Sequence, residues 1–155
     1  MKKTTHLLVL AACGTLSNCN TILPAPATSG GNGPVQAPAS LAGATISIQG
    51  GDTIRMKTAT SGTVNSVATD SITYRPRGKK ANFEYSYTID NGRKINTYTL
   101  SGDENYADST KPATITFTSR QGKTYKGYLN GYVIDGGWQT TESVYRNTPV
   151  TITLK

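Results

Sequence analysis

From Leu41 to Lys155 the chain is punctuated so often by turn signals that no long element fits between them. Gly50-Gly51-Asp52, Ser61-Gly62, Asp90-Asn91-Gly92-Arg93, Arg120-Gln121-Gly122 and Gly136-Gly137 separate short runs rich in Thr, Tyr, Val and Ile. Punctuation of this kind marks strands joined by hairpins, and Asn91-Gly92 between two alternating runs is the strongest short hairpin signal there is. The runs predict strands at 44–49, 53–59, 63–69, 71–75, 81–89, 94–101, 113–119, 123–133, 140–146 and 150–154. Composition agrees. From residue 41 onward Leu occurs only at 41, 100, 129 and 154, whereas nine Tyr occur there. Helices favour Leu, Ala, Glu and Lys, while pleated, half-buried surfaces favour Thr and Tyr. The expected fold is all-β: one antiparallel meander of about nine strands closing into a small β-barrel, with a β-sandwich as the alternative. A barrel is preferred because closure removes exposed edges.

Parity within the runs predicts the core. Phe83, Tyr85 and Tyr87 share one strand face, Ile115 and Phe117 another, and Tyr125, Gly127, Leu129, Gly131 and Val133 a third. Gly127 and Gly131 mark positions where a strand bends or another backbone comes close.

The first forty residues have a different character. Lys2 and Lys3 precede an apolar run that starts at Leu7, the layout of a secretory signal peptide that is too short to span a bilayer. Leu10-Ala11-Ala12-Cys13 resembles the lipobox of bacterial lipoproteins, in which small residues precede a cysteine that is acylated and becomes the new N-terminus. Leu16-Ser17-Asn18-Cys19 is a second, looser match. Cleavage before Cys19 leaves an apolar segment of ordinary length and no odd thiol, so Cys19 is the preferred lipidation site and Cys13 the alternative. The resemblance implies an exported protein, anchored through its N-terminal lipid to the outer membrane, on its periplasmic or cell-surface side. Residues 20–40 hold four of the seven prolines and no charge, as a semi-flexible spacer would. The expected division is a signal peptide at 1–18, a lipidated N-terminus and linker at 19–40, and a β domain at 41–155. That domain also resembles the Thr- and Tyr-rich domains of bacterial envelope proteins.

Candidate sites in the β domain are few. Arg75, Arg77, Lys79 and Lys80 cluster at one turn, where they suit phosphate, sulfate, anionic lipid or acidic glycan, or simply keep a hairpin tip solvated. Tyr128 and Tyr132 share a strand face opposite Leu129, and Trp138 follows closely. Flat rings beside amide and carboxylate groups suit sugar recognition, and the same rings also serve as packing in small β domains. In a hollow barrel, Tyr85, Tyr87 and Tyr98 become candidate cavity-lining residues. Asp103, Asn105 and Asp108 offer oxygens, yet they lack the spacing of a calcium loop. No metal site or cofactor is expected.

Catalysis is the weakest reading. His6, the only histidine, and both cysteines lie before residue 20, so nucleophile–His pairs are missing from the domain. Nucleic-acid binding has no motif to support it. The function expected is therefore non-catalytic: a structural or protein-interaction role in the cell envelope, with a glycan- or small-molecule-binding module as the alternative.

Overall fold

A computed structural model describes residues 35–105 and 110–155. The signal peptide, Cys13, Cys19, most of the spacer and Asp108 lie outside the described residues. The strands are β1 (Thr45–Ile48), β2 (Thr53–Met56), β3 (Gly62–Val64), β4 (Val67–Arg77), β5 (Lys80–Asp90), β6 (Ile95–Ser101), β7 (Thr114–Gln121), β8 (Thr124–Asp135) and β9 (Thr140–Thr153). All pairings are antiparallel, and eight of the nine strands form a closed barrel in the order β4-β3-β2-β1-β9-β8-β6-β5, with β5 pairing back to β4. The barrel reading holds.

Three details differ from the sequence reading, each for a local reason. The expected run 63–69 is broken by a tight turn at Asn65-Ser66, where both residues have positive φ (48° and 73°). An Asn-Ser pair makes the primed turn that Asn-Gly usually marks. The expected strands 63–69 and 71–75 thus become β3 and a longer β4, with a bulge between Thr69 and Ser71. At the C-terminus the expected strands 140–146 and 150–154 are a single β9. Its register slips against β8 between Leu129 and Gly131, near Asn147, whose φ is +48°.

The barrel's ninth strand fills out a position already begun. β6 pairs with the upper half of β5 and with β8, from Leu100 opposite both Tyr85 and Val133. β7 then pairs with the lower end of β5 and the rest of β8, from Thr114 opposite Asn82 and Asn130. On both neighbours the residues between these pairs match Ser101 and Ala113 in sequence. β6 and β7 are therefore one strand position interrupted by a loop at 102–113. Its neck is pinched, with Gly102 N donating to Lys111 O at 2.8 Å. Gly131 lies opposite this break, and a Cβ there would come within 2.7 Å of the Ala113 Cβ and 2.9 Å of the Ser101 carbonyl. At Gly127 a Cβ would meet the Thr116 carbonyl at 2.3 Å. Both glycines mark close backbone approach, as expected.

The interior is a continuous apolar core. Phe83, Ile115 and Leu129 are fully buried, and Ile46, Ile54, Val64 and Ile152 close the wall from β1, β2, β3 and β9. Ile134 is equally buried but points away from that core. It sits on the outer wall beside the 102–113 loop, to which Thr141 Oγ1 donates at the Glu104 carbonyl (2.8 Å). The strands and core described here all lie within residues 35–155, so this stretch carries its own core and is expected to fold on its own.

Candidate functional site

The meander gives the barrel two chemically different ends. At the lower end lie the β4–β5 turn, the β7–β8 turn, the 57–61 turn and both ends of the described chain. At the upper end lie the turns 49–52, 65–66, 91–94 and 136–139.

The upper end is closed by polar groups. Asp52 follows the Gly50-Gly51 turn and is buried. Its carboxylate accepts from the Tyr85 hydroxyl and from Asn65 Nδ2 (2.6 Å), while Asp52 N donates to the Tyr145 hydroxyl at 3.4 Å. Asn65 Oδ1 accepts from Thr53 N (2.9 Å), so one side chain ties two neighbouring turns together. A second carboxylate, Asp135, is 2% exposed and joins the two tall hairpins. It accepts from Asn96 Nδ2 (2.8 Å) and Gly137 N (2.9 Å) and pairs with Lys94 Nζ at 3.8 Å. Lys94 Nζ also lies 5.0 Å from the centre of the Trp138 ring.

Between the carboxylates run the tyrosines. Tyr85 and Tyr87 have ring centres 6.2 Å apart, and Tyr87 stacks on Tyr98 at 5.3 Å. These rings pack on one another, and such pairs contribute about 0.5–1.5 kcal/mol beyond their buried area. Burial, and then the Asp52 carboxylate, hold the Tyr85 hydroxyl far above its ordinary pKa. The same causes raise Tyr145 and push Tyr87 up to about 12. All three hydroxyls are neutral at any physiological pH; that of Tyr85 donates to Asp52 and that of Tyr145 accepts from it.

The aromatic trio expected for sugar binding is not brought together. Tyr128 is 43% exposed on the outer wall of β8, and Trp138 is 67% exposed in the upper turn. Tyr132 is half-buried two pleat repeats above Tyr128, and no ring contact links the three. Among the described residues no cluster of three or more His, Cys, Asp or Glu could hold a metal ion. Asp103 faces Lys111 at 3.7 Å.

At the lower end, Arg75, Arg77, Lys79 and Lys80 are all exposed around the β4–β5 turn, where the sequence places them. The closure of the barrel adds residues that are scattered along the chain. Lys79 O accepts from Phe117 N at 2.8 Å, which brings the β4–β5 tip beside the β7–β8 hairpin. That hairpin carries Arg120, Lys123 and Lys126, and a shallow cleft of about 320 Å³ on it is lined by Ser119, Arg120, Gln121, Thr124 and Lys126. Leu154 N donates to Lys123 O (2.9 Å), so the C-terminal Lys155 ends at the same place. Sequence reasoning found one cluster of four and missed its continuation, because only the fold joins it.

The N-terminal lead-in also arrives here. Ala37 N donates to the Gly78 carbonyl (2.7 Å), and the Tyr74 hydroxyl donates to the Pro38 carbonyl (2.7 Å). Val35 and Ala37 pack against the core. The last residues of the expected spacer are thus docked along the β4–β5 hairpin.

The molecule is thus an up-and-down β-barrel with a polar, tyrosine-filled upper end and a basic lower end. No family model matches the chain, and no curated protein or solved structure does either.

Proposed function

We propose that the chain is a non-catalytic lipoprotein of the bacterial cell envelope, held to a membrane by an acylated cysteine and acting by contact rather than by chemistry. One observation carries this reading: residues 35–38 are fixed to the lower rim, through Gly78 and Tyr74, so a lipid anchor upstream would hold the barrel by one defined end. The lipobox-like sequences at Cys19 and Cys13 supply such an anchor, and Cys19 leaves no unpaired thiol behind. The two buried carboxylates support a structural role, since Asp52 and Asp135 are each engaged by neighbouring donors.

Mass spectrometry of the mature protein tests the anchor. The expected N-terminus is an acylated Cys19, or Cys13 in its place. An unmodified N-terminus further downstream would remove the proposal.

Glycan recognition has one observation in its favour, the exposed Trp138 ring with Lys94 against it. Screening glycans against the protein and its Trp138→Ala variant tests it. Retention in the wild type that the variant loses is the supporting result, and equal behaviour of the two ends the idea.

A further inference from the structure

The charges of the domain are sorted by height. The β4–β5 tip contributes Arg75, Arg77, Lys79 and Lys80, and the adjoining β7–β8 hairpin contributes Arg120, Lys123 and Lys126. Lys57, just after β2, and Lys155 flank them, and all nine side chains are exposed. Two acidic side chains of the described residues come near: Asp70, beside the 57–61 turn and bonded by Thr88, and Glu84, opposite Thr73 and diagonal to Arg75. The ion pairs Lys94–Asp135 and Lys111–Asp103 are elsewhere. Like charges repel, so gathering nine cations beside two carboxylates is electrostatically unfavourable unless an anionic partner faces them.

A second, independent feature says which partner. Residues 35–38 are docked on the β4–β5 hairpin at this same end, so whatever precedes them joins the barrel there. Any membrane anchor in residues 1–34 therefore holds the basic pole towards the lipid. Fifteen residues separate Cys19 from Val35, a span of at most about 58 Å. At that reach even a weak contact between pole and membrane becomes intramolecular and is strengthened by effective concentration. The barrel itself is not built to enter the bilayer. β1 and β2 are four residues long and β3 is three, against about 9–11 for a spanning strand. Contact is therefore end-on, at the headgroups.

We infer that the basic pole of the barrel is a docking surface for an anionic, phosphate-bearing membrane, which seats the domain upright with its tyrosine-lined end facing away. This deepens the anchoring proposal, and its test needs no acyl group, so the two can fail separately. The electrostatic attraction falls off within a Debye length and needs no apolar insertion.

The test is sedimentation of residues 35–155 with vesicles of phosphatidylcholine alone, or of phosphatidylcholine and phosphatidylglycerol in equal parts. The expected result is binding to the anionic vesicles only, released by high salt. Each Lys or Arg near such a surface contributes about fivefold, so the variant R75Q/R77Q/K79Q/K80Q should bind at least about a hundredfold more weakly. R93Q/R146Q, two exposed charges away from the pole, should bind as the wild type does. Equal binding to both vesicle types, or full binding by the quadruple variant, overturns the inference. So does release by millimolar inorganic phosphate at constant ionic strength, which would make the pole a site for the free ion. Retention on a sulfated polysaccharide or on DNA, without vesicle binding, would assign the pole to that partner instead and overturn it too.

Discussion

The two ends of this barrel are made by the same strands, yet they are finished by opposite rules. At the upper end two carboxylates are buried and held from within: Asp52 by Tyr85 and Asn65, and Asp135 by Asn96, Gly137 and Lys94. At the lower end nine exposed cations gather with Asp70 and Glu84 the nearest carboxylates of the described residues, and Arg120 is tied to its own hairpin through the Gly122 carbonyl and the Tyr125 ring. Side chains that cannot be removed without unpairing a buried neighbour belong to the fold. Side chains whose removal unpairs nothing are free to serve a partner. Upper-end substitutions are therefore expected to cost stability, and lower-end substitutions to cost binding.

The largest effect is expected from Asp52→Ala. It strands the buried Tyr85 hydroxyl and removes the charged acceptor of Asn65, whose exposed amide can turn to water, so stability should fall by about 2–4 kcal/mol in total, most of it at Tyr85. Urea denaturation followed by tyrosine fluorescence measures it. A loss near zero would mean that the upper end is not held by its carboxylate, and the contrast between the ends would collapse.

Tyr85→Phe removes one donor to a carboxylate that keeps Asn65, so about 1.5–3 kcal/mol is expected. Combined with Asp52→Ala it should be strongly non-additive, because both remove the same bond. The pH dependence follows from the same tyrosines. Their folded pKa values are raised above the unfolded value near 10. Above that pH the unfolded chain sheds protons that the folded chain retains, so stability is fully present below pH 10 and falls as pH climbs towards about 12, where Tyr87 titrates. Thermal denaturation between neutral and alkaline pH should show a steeper decline in the wild type than in Tyr85→Phe. A flat profile would show that the rings are already open to solvent.

Much of the fold was legible in the sequence because its signals are local. Strand parity placed Phe83, Tyr85 and Tyr87 inside, and the glycines at 127 and 131 announced close contacts before their partners, Thr116 and Ala113, were known. The misreadings were local too: Asn65-Ser66 makes a turn without glycine, and Asn147 bends β9 without ending it. The sites were less legible, because they are assembled by closure. Asp52 reads as an ordinary turn residue until β5 carries Tyr85 to it across 33 positions. Arg75 and Lys123 belong to one surface only because Phe117 bonds to Lys79.

The loop at 102–113 tests how much of the upper end's stability comes from outside the barrel wall. The registers on β5 and β8 leave one place each for Ser101 and Ala113, side by side. Deleting residues 102–112 and joining Ser101 to Ala113 should therefore give an uninterrupted strand and a barrel of the same shape. The expected cost is about 1–2 kcal/mol, from exposing Ile134, part of it offset by the shorter chain to be closed. Circular dichroism and thermal melting decide it. An unfolded product would show that β6 and β7 are separate strands that need their connection.

The smallest effect on stability is expected where the effect on binding is largest. R75Q/R77Q/K79Q/K80Q alters only exposed side chains around one turn, so each change should stay within about 0.5 kcal/mol. The sign is informative. Removing mutually repelling charges should raise the melting temperature slightly at low salt, and added salt should erase the difference by screening the repulsion in the wild type. A salt-independent loss of stability would mean that the four side chains are held by internal partners, as Asp52 and Asp135 are. In that case the lower end would be part of the fold rather than a surface kept for a partner, and the distinction between the two ends would be one of position only.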